Sequence, residues 1–122
     1  MSKLITDINE VEKAIQRILE SESLISIDED DFGDYNRIIG YQSFELIDEN
    51  SEFNYSIDQV IADKTNKLIV NIACDDALTL AFLDRILSNI RAFFNSEIEV
   101  IYGHSDGFLR QHIIVDIFLV KK

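Results

Sequence analysis

Apolar residues near the start of the chain recur at helical spacing. Leu4, Ile8, Val11, Ile15, Ile18 and Leu19 fall on one stripe, roughly 100–140° wide, while Asn9, Glu12, Lys13, Gln16, Arg17 and Glu20 occupy the opposite side. The pattern predicts a helix from about Asp7 to Glu20, opened by Asp7-Ile8-Asn9-Glu10 with capping-box spacing and buried on one side only. The stretch Leu24 to Tyr41 then reads as a strand-like entry, an acidic loop and a second helix with Phe32, Tyr35, Ile38 and Ile39 as its apolar positions. Tyr41 to Ile47 alternates, with Phe44 and Leu46 on one face and Ser43 and Glu45 on the other, as a strand does. After the polar loop Asp48 to Glu52, Ser56 is placed to cap a short helix carrying Ile57, Val60 and Ile61.

Lys67 to Cys74 is rich in β-branched residues and carries apolar side chains on both faces, which predicts a central strand covered on both sides. Asp75-Asp76 leads into the longest helix, about Leu78 to Phe94, whose stripe is Leu80, Leu83, Ile86, Leu87, Ile90, Phe93 and Phe94. Two strands follow, Glu97 to Tyr102 and His112 to Val120, read as a closing hairpin across the loop Gly103 to Arg110. The expected element order is ααβαβαββ. This predicts an α+β fold with two layers, a four-stranded mixed sheet and helices packed against it. Residues 1–122 form a single domain in this reading, with 1–23 an N-terminal helix packing on the rest.

Length and composition narrow the function. A chain of 122 residues with 47% hydrophobic and 28% charged side chains has the balance of one folded domain. Its net charge of −12 argues against nucleic acid or an anionic membrane as a partner, since either would be repelled over the whole surface. A basic protein surface fits better. The single cysteine, Cys74, has no partner for an internal disulfide and reads as a small buried apolar residue. No apolar run of signal-peptide or membrane-span length is present, so the expected compartment is the cytosol. Exposed sheet edges leave homodimerisation open.

Asp28, Asp30, Asp31 and Asp34 fall within or just before the predicted second helix, where carboxylates oppose the positive end of the dipole and cap free N–H groups. A helix cap is the plain reading of this run. It does not match a calcium loop, because Phe32 stands where an oxygen ligand is needed. His104 and His112 have no cysteine or carboxylate cluster beside them and read as surface or turn residues, not metal ligands. No cofactor or metal site is expected, and no Ser/His/Asp or Cys/His nucleophile pattern is present.

Several segments, taken in order, resemble the C-terminal half of the FtsZ/tubulin family. Ser26-x-Asp28-x-x-Asp31 is similar to the family's Asn-x-Asp-x-x-Asp loop with its first residue changed, and Gly40-Tyr41 stands where the family also places Gly-Tyr. Lys67-Leu68-Ile69-Val70-Asn71-Ile72 resembles its Gly-Val-Leu-Val-Asn-Ile strand. Leu78-Thr79-Leu80 and Ile90-Arg91-Ala92-Phe93 resemble its long helix, and Val100-Ile101-Tyr102-Gly103 its Val-Ile-Phe-Gly strand end. The resemblance implies the FtsZ C-terminal domain with its central helix and connecting loop, without the GTPase domain. The family's glycine-rich phosphate loop is absent from a sequence with four unclustered glycines. The sequence ends directly after the last strand, so the tail by which FtsZ meets its membrane anchors is not expected either.

In the family that loop reaches the nucleotide of the next subunit, where its two aspartates orient the attacking water. The resemblance therefore implies a partner-facing role for Ser26, Asp28 and Asp31. Glu29 and Asp30 add negative charge beside the pair, and each like-charge pair at about 6 Å costs roughly 3 kcal/mol at an effective dielectric near 20. The expectation is a non-enzymatic binding module that caps or regulates FtsZ-type filaments, with hydrolysis in trans by Asp28 and Asp31 as the lesser reading. The alternative is an acidic inhibitor or immunity-type protein that masks a basic protein surface.

Overall fold

In a computed structural model the described residues are 4–21, 23–25, 27–74, 78–105 and 112–121, with the backbone alone for 23–25. The elements are α1 (Ile8–Glu20), β1 (Ser23–Ile25), α2 (Glu29–Phe32), a single 3-10 turn (Tyr35–Arg37), β2 (Ile38–Leu46), α3 (Gln59–Lys64), β3 (Lys67–Ala73), α4 (Leu80–Arg91), β4 (Glu99–Ser105) and β5 (Ile113–Val120). They build one mixed sheet in the order β1-β4-β3-β5-β2. β3 runs parallel to β4 and antiparallel to β5, and β2 closes one edge antiparallel to β5.

The four expected strands form the expected mixed sheet, and the fold is α+β. A fifth strand of three residues, β1, is added at the β4 edge. The closing hairpin is not formed. β3 inserts between β4 and β5, so the connection between the last two strands crosses over one strand. The physical reason is visible in β3 itself, whose apolar side chains on both faces need cover from both sides and so take it, like the wholly buried β5, into the interior of the sheet.

Helices lie on both faces, so the two-layer expectation becomes three layers. On one face Leu68, Val70 and Ile72 of β3 and Val115, Ile117 and Leu119 of β5 pack with Phe82, Ile86 and Ile90 of α4 and with Phe53 and Tyr55 of the loop after β2. On the other, Ile69, Phe118 and Val120 pack with Val11, Ala14, Ile15 and Ile18 of α1 and with Ile27 and Phe32. The stripe read from α1 is the buried one, except that Ile8 is 43% exposed. Asp7 caps the helix by accepting from the Asn9 N–H at 2.9 Å.

The second helix is much shorter than its apolar spacing predicts. It stops at Phe32, because Gly33 turns the chain at φ +63, where a side chain is disfavoured. Asp34 then caps the 3-10 turn, and the β-branched pair Ile38-Ile39 enters β2, three residues earlier than the alternation alone suggests. Asp58, not Ser56, caps α3, and its carboxylate accepts from the Val60 N–H at 2.8 Å. Thr79 caps α4, which shifts the start of that helix past Leu78 and leaves Leu80 84% exposed. Asp75-Asp76 lies outside the described residues.

Two glycines mark close crossings. A Cβ on Gly40 would stand 2.7 Å from the Ile5 carbonyl oxygen, where the segment before α1 pairs with Tyr41 through two backbone hydrogen bonds. A Cβ on Gly103 would overlap the Ile27 side chain, where the segment after α1 crosses β4.

Candidate functional site

The acidic turn is held on the sheet by its apolar end. Phe32 is fully buried and meets the Phe118 ring edge-on at 5.1 Å, with Tyr41 stacked on the same ring at 5.3 Å. Ile27 is buried at the entry to the turn, over Gly103. At the exit, the Lys67 ammonium donates to the Asp31 carbonyl at 2.7 Å and ties the turn to the start of β3. This places a rigid base under an acidic rim.

The two aspartates singled out in the sequence are brought together, and their roles divide. Asp28 precedes α2 as its N-cap, and its N–H donates to the Asp31 carboxylate at 2.8 Å. The Asp31 N–H donates back to the Asp28 carbonyl at 3.0 Å. Asp31 is thus half-buried and engaged in closing the turn, which is the cap reading in physical form. Asp28, Glu29 and Asp30 have exposed side chains. Ser26 lies outside the described residues.

Beside this rim the polar side of α1 is open. Asn9, Glu12, Lys13, Gln16, Arg17 and Glu20, the residues read as its outer face, line a shallow groove of about 940 Å³ together with Tyr35. Burial pushes the Tyr35 phenol above its ordinary pKa, and the carboxylates of Glu29 and Glu12 add to the shift. The charges lining the groove balance, Glu12 and Glu20 against Lys13 and Arg17, with a neutral phenol at its edge.

Arg17 links this outer face to the interior, which the sequence pattern gave no reason to expect. Its guanidinium meets the Asp116 carboxylate at 2.8 Å, and that side chain is 2% exposed on β5 beneath α1. Alongside, the Asn71 amide donates to the Ser105 hydroxyl at 2.9 Å, with Asn71 and Asp116 facing each other across β3 and β5. The signal that could have found this pair is Asp116 itself, a charge in the middle of the otherwise apolar run Ile113–Val120. His104 is also buried, within β4, contrary to its reading as a surface or turn residue. His112 does sit at the surface, with Nδ1 2.8 Å from the Glu45 carboxylate. Among the described residues no group of His, Cys, Asp and Glu is arranged to hold a metal ion.

Among solved structures the chain is similar to an FtsZ dimer from M. jannaschii, with a TM-score of 0.61 and 14% identity over 92% of this chain. The fold is FtsZ-like. At that identity the likeness is one of fold, and the chain spans 37% of the FtsZ chain it matches. A thiamine monophosphate kinase from Aquifex aeolicus aligns with a TM-score of 0.38 and 13% identity over 95% of this chain and 41% of that one, too low to carry an argument. No protein-family model matches the sequence, and neither does any curated protein. The segments whose residues resemble FtsZ fall, where described, on α2 and its N-cap, β2, β3, the two ends of α4, and β4. Among the described residues no helix is long and apolar enough to cross a membrane.

Proposed function

We propose that the chain is a non-enzymatic, FtsZ-like binding module that caps or regulates FtsZ-type filaments through its acidic turn. The observation that carries this reading is the likeness to FtsZ over 92% of the chain. The turn supports it. Asp28, Glu29 and Asp30 are presented on a base fixed by Phe32, Lys67 and Ile27, as a docking surface requires. A chain with that rim and no phosphate loop would occupy the nucleotide-exposing end of a filament and block the next subunit. The Asp31 carboxylate is committed to the Asp28 N–H, which counts against its orienting water on a partner's nucleotide.

The test is assembly of FtsZ from the same cell in the presence of the purified protein. Pelleting and light scattering should show shorter or fewer filaments at substoichiometric ratios, and Asp28→Ala with Asp31→Asn should weaken the effect while leaving the turn closed. Unchanged assembly at every ratio would refute the reading. A second reading rests on the net charge of −12: an acidic inhibitor covering a basic protein surface. It predicts a basic partner whose binding falls steeply with salt and does not require FtsZ.

A further inference from the structure

The edge of the sheet at β4 presents unused hydrogen-bonding capacity. β4 pairs with β3 along its whole length, from Lys67↔Glu99 to Ala73↔Ser105, but on its other side β1 meets it only at His104 and Ser105. The Glu99 N–H donates to the Asn66 carbonyl and the Ser105 carbonyl accepts from the Cys74 N–H, so residues of that parity turn their backbone groups to β3. Val100 and Tyr102, of the other parity, turn theirs outward, and among the described residues no strand or loop receives them. β1 stops short for a visible reason: Gly103 has no Cβ, and the chain after β1 leaves the edge to lay Ile27 over it. Natural edges are blunted by lysine, proline or bulges. The run Glu99 to Gly103 has none of these, and its register with β3 is unbroken.

The side chains along this edge differ between the two faces. Val100 and Tyr102 are half-buried on the face covered by α4, and an incoming apolar side chain can pack beside each. On the α1 face, Ile101 stands between two exposed carboxylates, Glu99 at the foot of the edge and Asp28, which follows Ile27 over Gly103, at its head. Lys67, the cross-strand neighbour of Glu99, directs its ammonium to the Asp31 carbonyl at 2.7 Å, and Glu99 makes no ion pair among the described residues. We propose that the open edge of β4 is a docking site for an extended segment of a partner protein that alternates apolar and basic residues and joins the sheet as an added strand in line with β1. The backbone of Val100 and Tyr102 supplies the ladder, and Glu99 and Asp28 select lysine or arginine on the α1 face. A second copy of this chain is disfavoured as the occupant. Paired antiparallel about Ile101, its Ile98 would stand opposite His104, a place that Ile25 already holds, and each copy carries a net charge of −12.

The probe is a heptapeptide alternating lysine and valine, titrated into the labelled full chain and followed by backbone amide shifts. The largest shifts are expected at Val100, Ile101 and Tyr102. With valine on the α4 face, the valine amides are the ones that face β4, so N-methylation at the valines should weaken binding about tenfold, whereas N-methylation at the lysines should leave it within about threefold. Val100→Pro removes one outward N–H, a change that edge strands accept, and should also weaken binding about tenfold. Glu99→Lys should weaken it about threefold. The far-ultraviolet spectrum and melting temperature show whether each variant is folded, and if Val100→Pro is not, the methylated peptides carry the same test. Equal binding of the two methylated peptides, largest shifts on α2 or β2, or a dimer in light scattering that Val100→Pro abolishes would overturn the proposal. The filament assay reads Asp28 and Asp31, which these variants leave unchanged, so the two readings fail separately.

Discussion

Replacing Arg17 with methionine tests whether α1 is tied to the sheet by charge as well as by its apolar stripe. Methionine keeps the aliphatic stem that lies over the sheet and removes the guanidinium, so packing is largely preserved. What remains is an Asp116 carboxylate 2% exposed beneath a helix, having lost a cation 2.8 Å away. Removing one member of a fully buried ion pair costs about 3–5 kcal/mol, and here Asp116 keeps an interaction besides the one with Arg17. Arg17 is 41% exposed, so water screens the pair and can approach the carboxylate once the arginine is gone, which lowers the expected loss to about 2 kcal/mol. For a domain of this size that is a fall in Tm of about 8 °C. Asp116→Asn removes the charge that Arg17 compensates. In a double-mutant cycle by urea denaturation, Arg17→Met should therefore cost about 1 kcal/mol less in the Asp116→Asn background. A loss under about 0.5 kcal/mol for Arg17→Met, or strict additivity of the two changes, would refute the account and leave α1 held by its hydrophobic stripe alone.

Further outcomes follow from substitutions at four single positions. Gly40→Ala should destabilise by about 1–3 kcal/mol in urea, because the new methyl meets the Ile5 carbonyl oxygen and the segment before α1 must lift; Gly103→Ala should do the same through Ile27. Tyr55 is 3% exposed with no partner for its hydroxyl among the described residues, and burial raises its pKa far above the ordinary value. The unfolded chain therefore releases this proton first, so the stability Tyr55 supports is intact below about pH 10 and falls as pH rises beyond it. Tyr55→Phe should match or exceed the wild-type Tm at pH 7 and lose less of it between pH 10 and 11. Asp31→Ala should cost about 1 kcal/mol by removing the acceptor for the Asp28 N–H, and Asp31→Asn, which keeps an oxygen there, should cost less.

Periodicity alone located α1, the central β3 and α4, because each buries a long regular face and no local rule opposes it. It failed between Phe32 and Ile38, where Tyr35, Ile38 and Ile39 keep helical spacing by coincidence and the turn chemistry of Gly33 and Asp34 decides. It failed again at the last two strands, since alternation identifies a strand but not its neighbour. The acidic turn was legible as both a cap and a candidate surface, and the structure makes it both, with Asp28 and Asp31 closing the cap and the side chains of Asp28, Glu29 and Asp30 exposed on the rim. The Arg17–Asp116 pair was legible only from its buried end, a charge in the apolar run of β5, because a polar residue on the outer side of a helix gives no sign that its head reaches around to the sheet.

The division inside the turn also weighs the sequence resemblance. Gly40 and Gly103 are among the residues that look like FtsZ, yet each is required wherever a segment flanking α1 crosses a strand this closely, so they report the fold and say little of function. Phe32 and Lys67 hold the turn down and are likewise explained by packing. Asp28, Glu29 and Asp30 are different, because nothing in the packing requires three adjacent exposed carboxylates, and their mutual repulsion opposes the gain from a helix start. The triple change Asp28→Asn, Glu29→Gln and Asp30→Asn should shift Tm by no more than about 3 °C, since the repulsion and the favourable dipole interaction are lost together. The same variant should lose its effect on filament assembly. A variant that melts as the wild type does and still shortens filaments would show that the rim is not the contact, and would move the search to the open groove along α1.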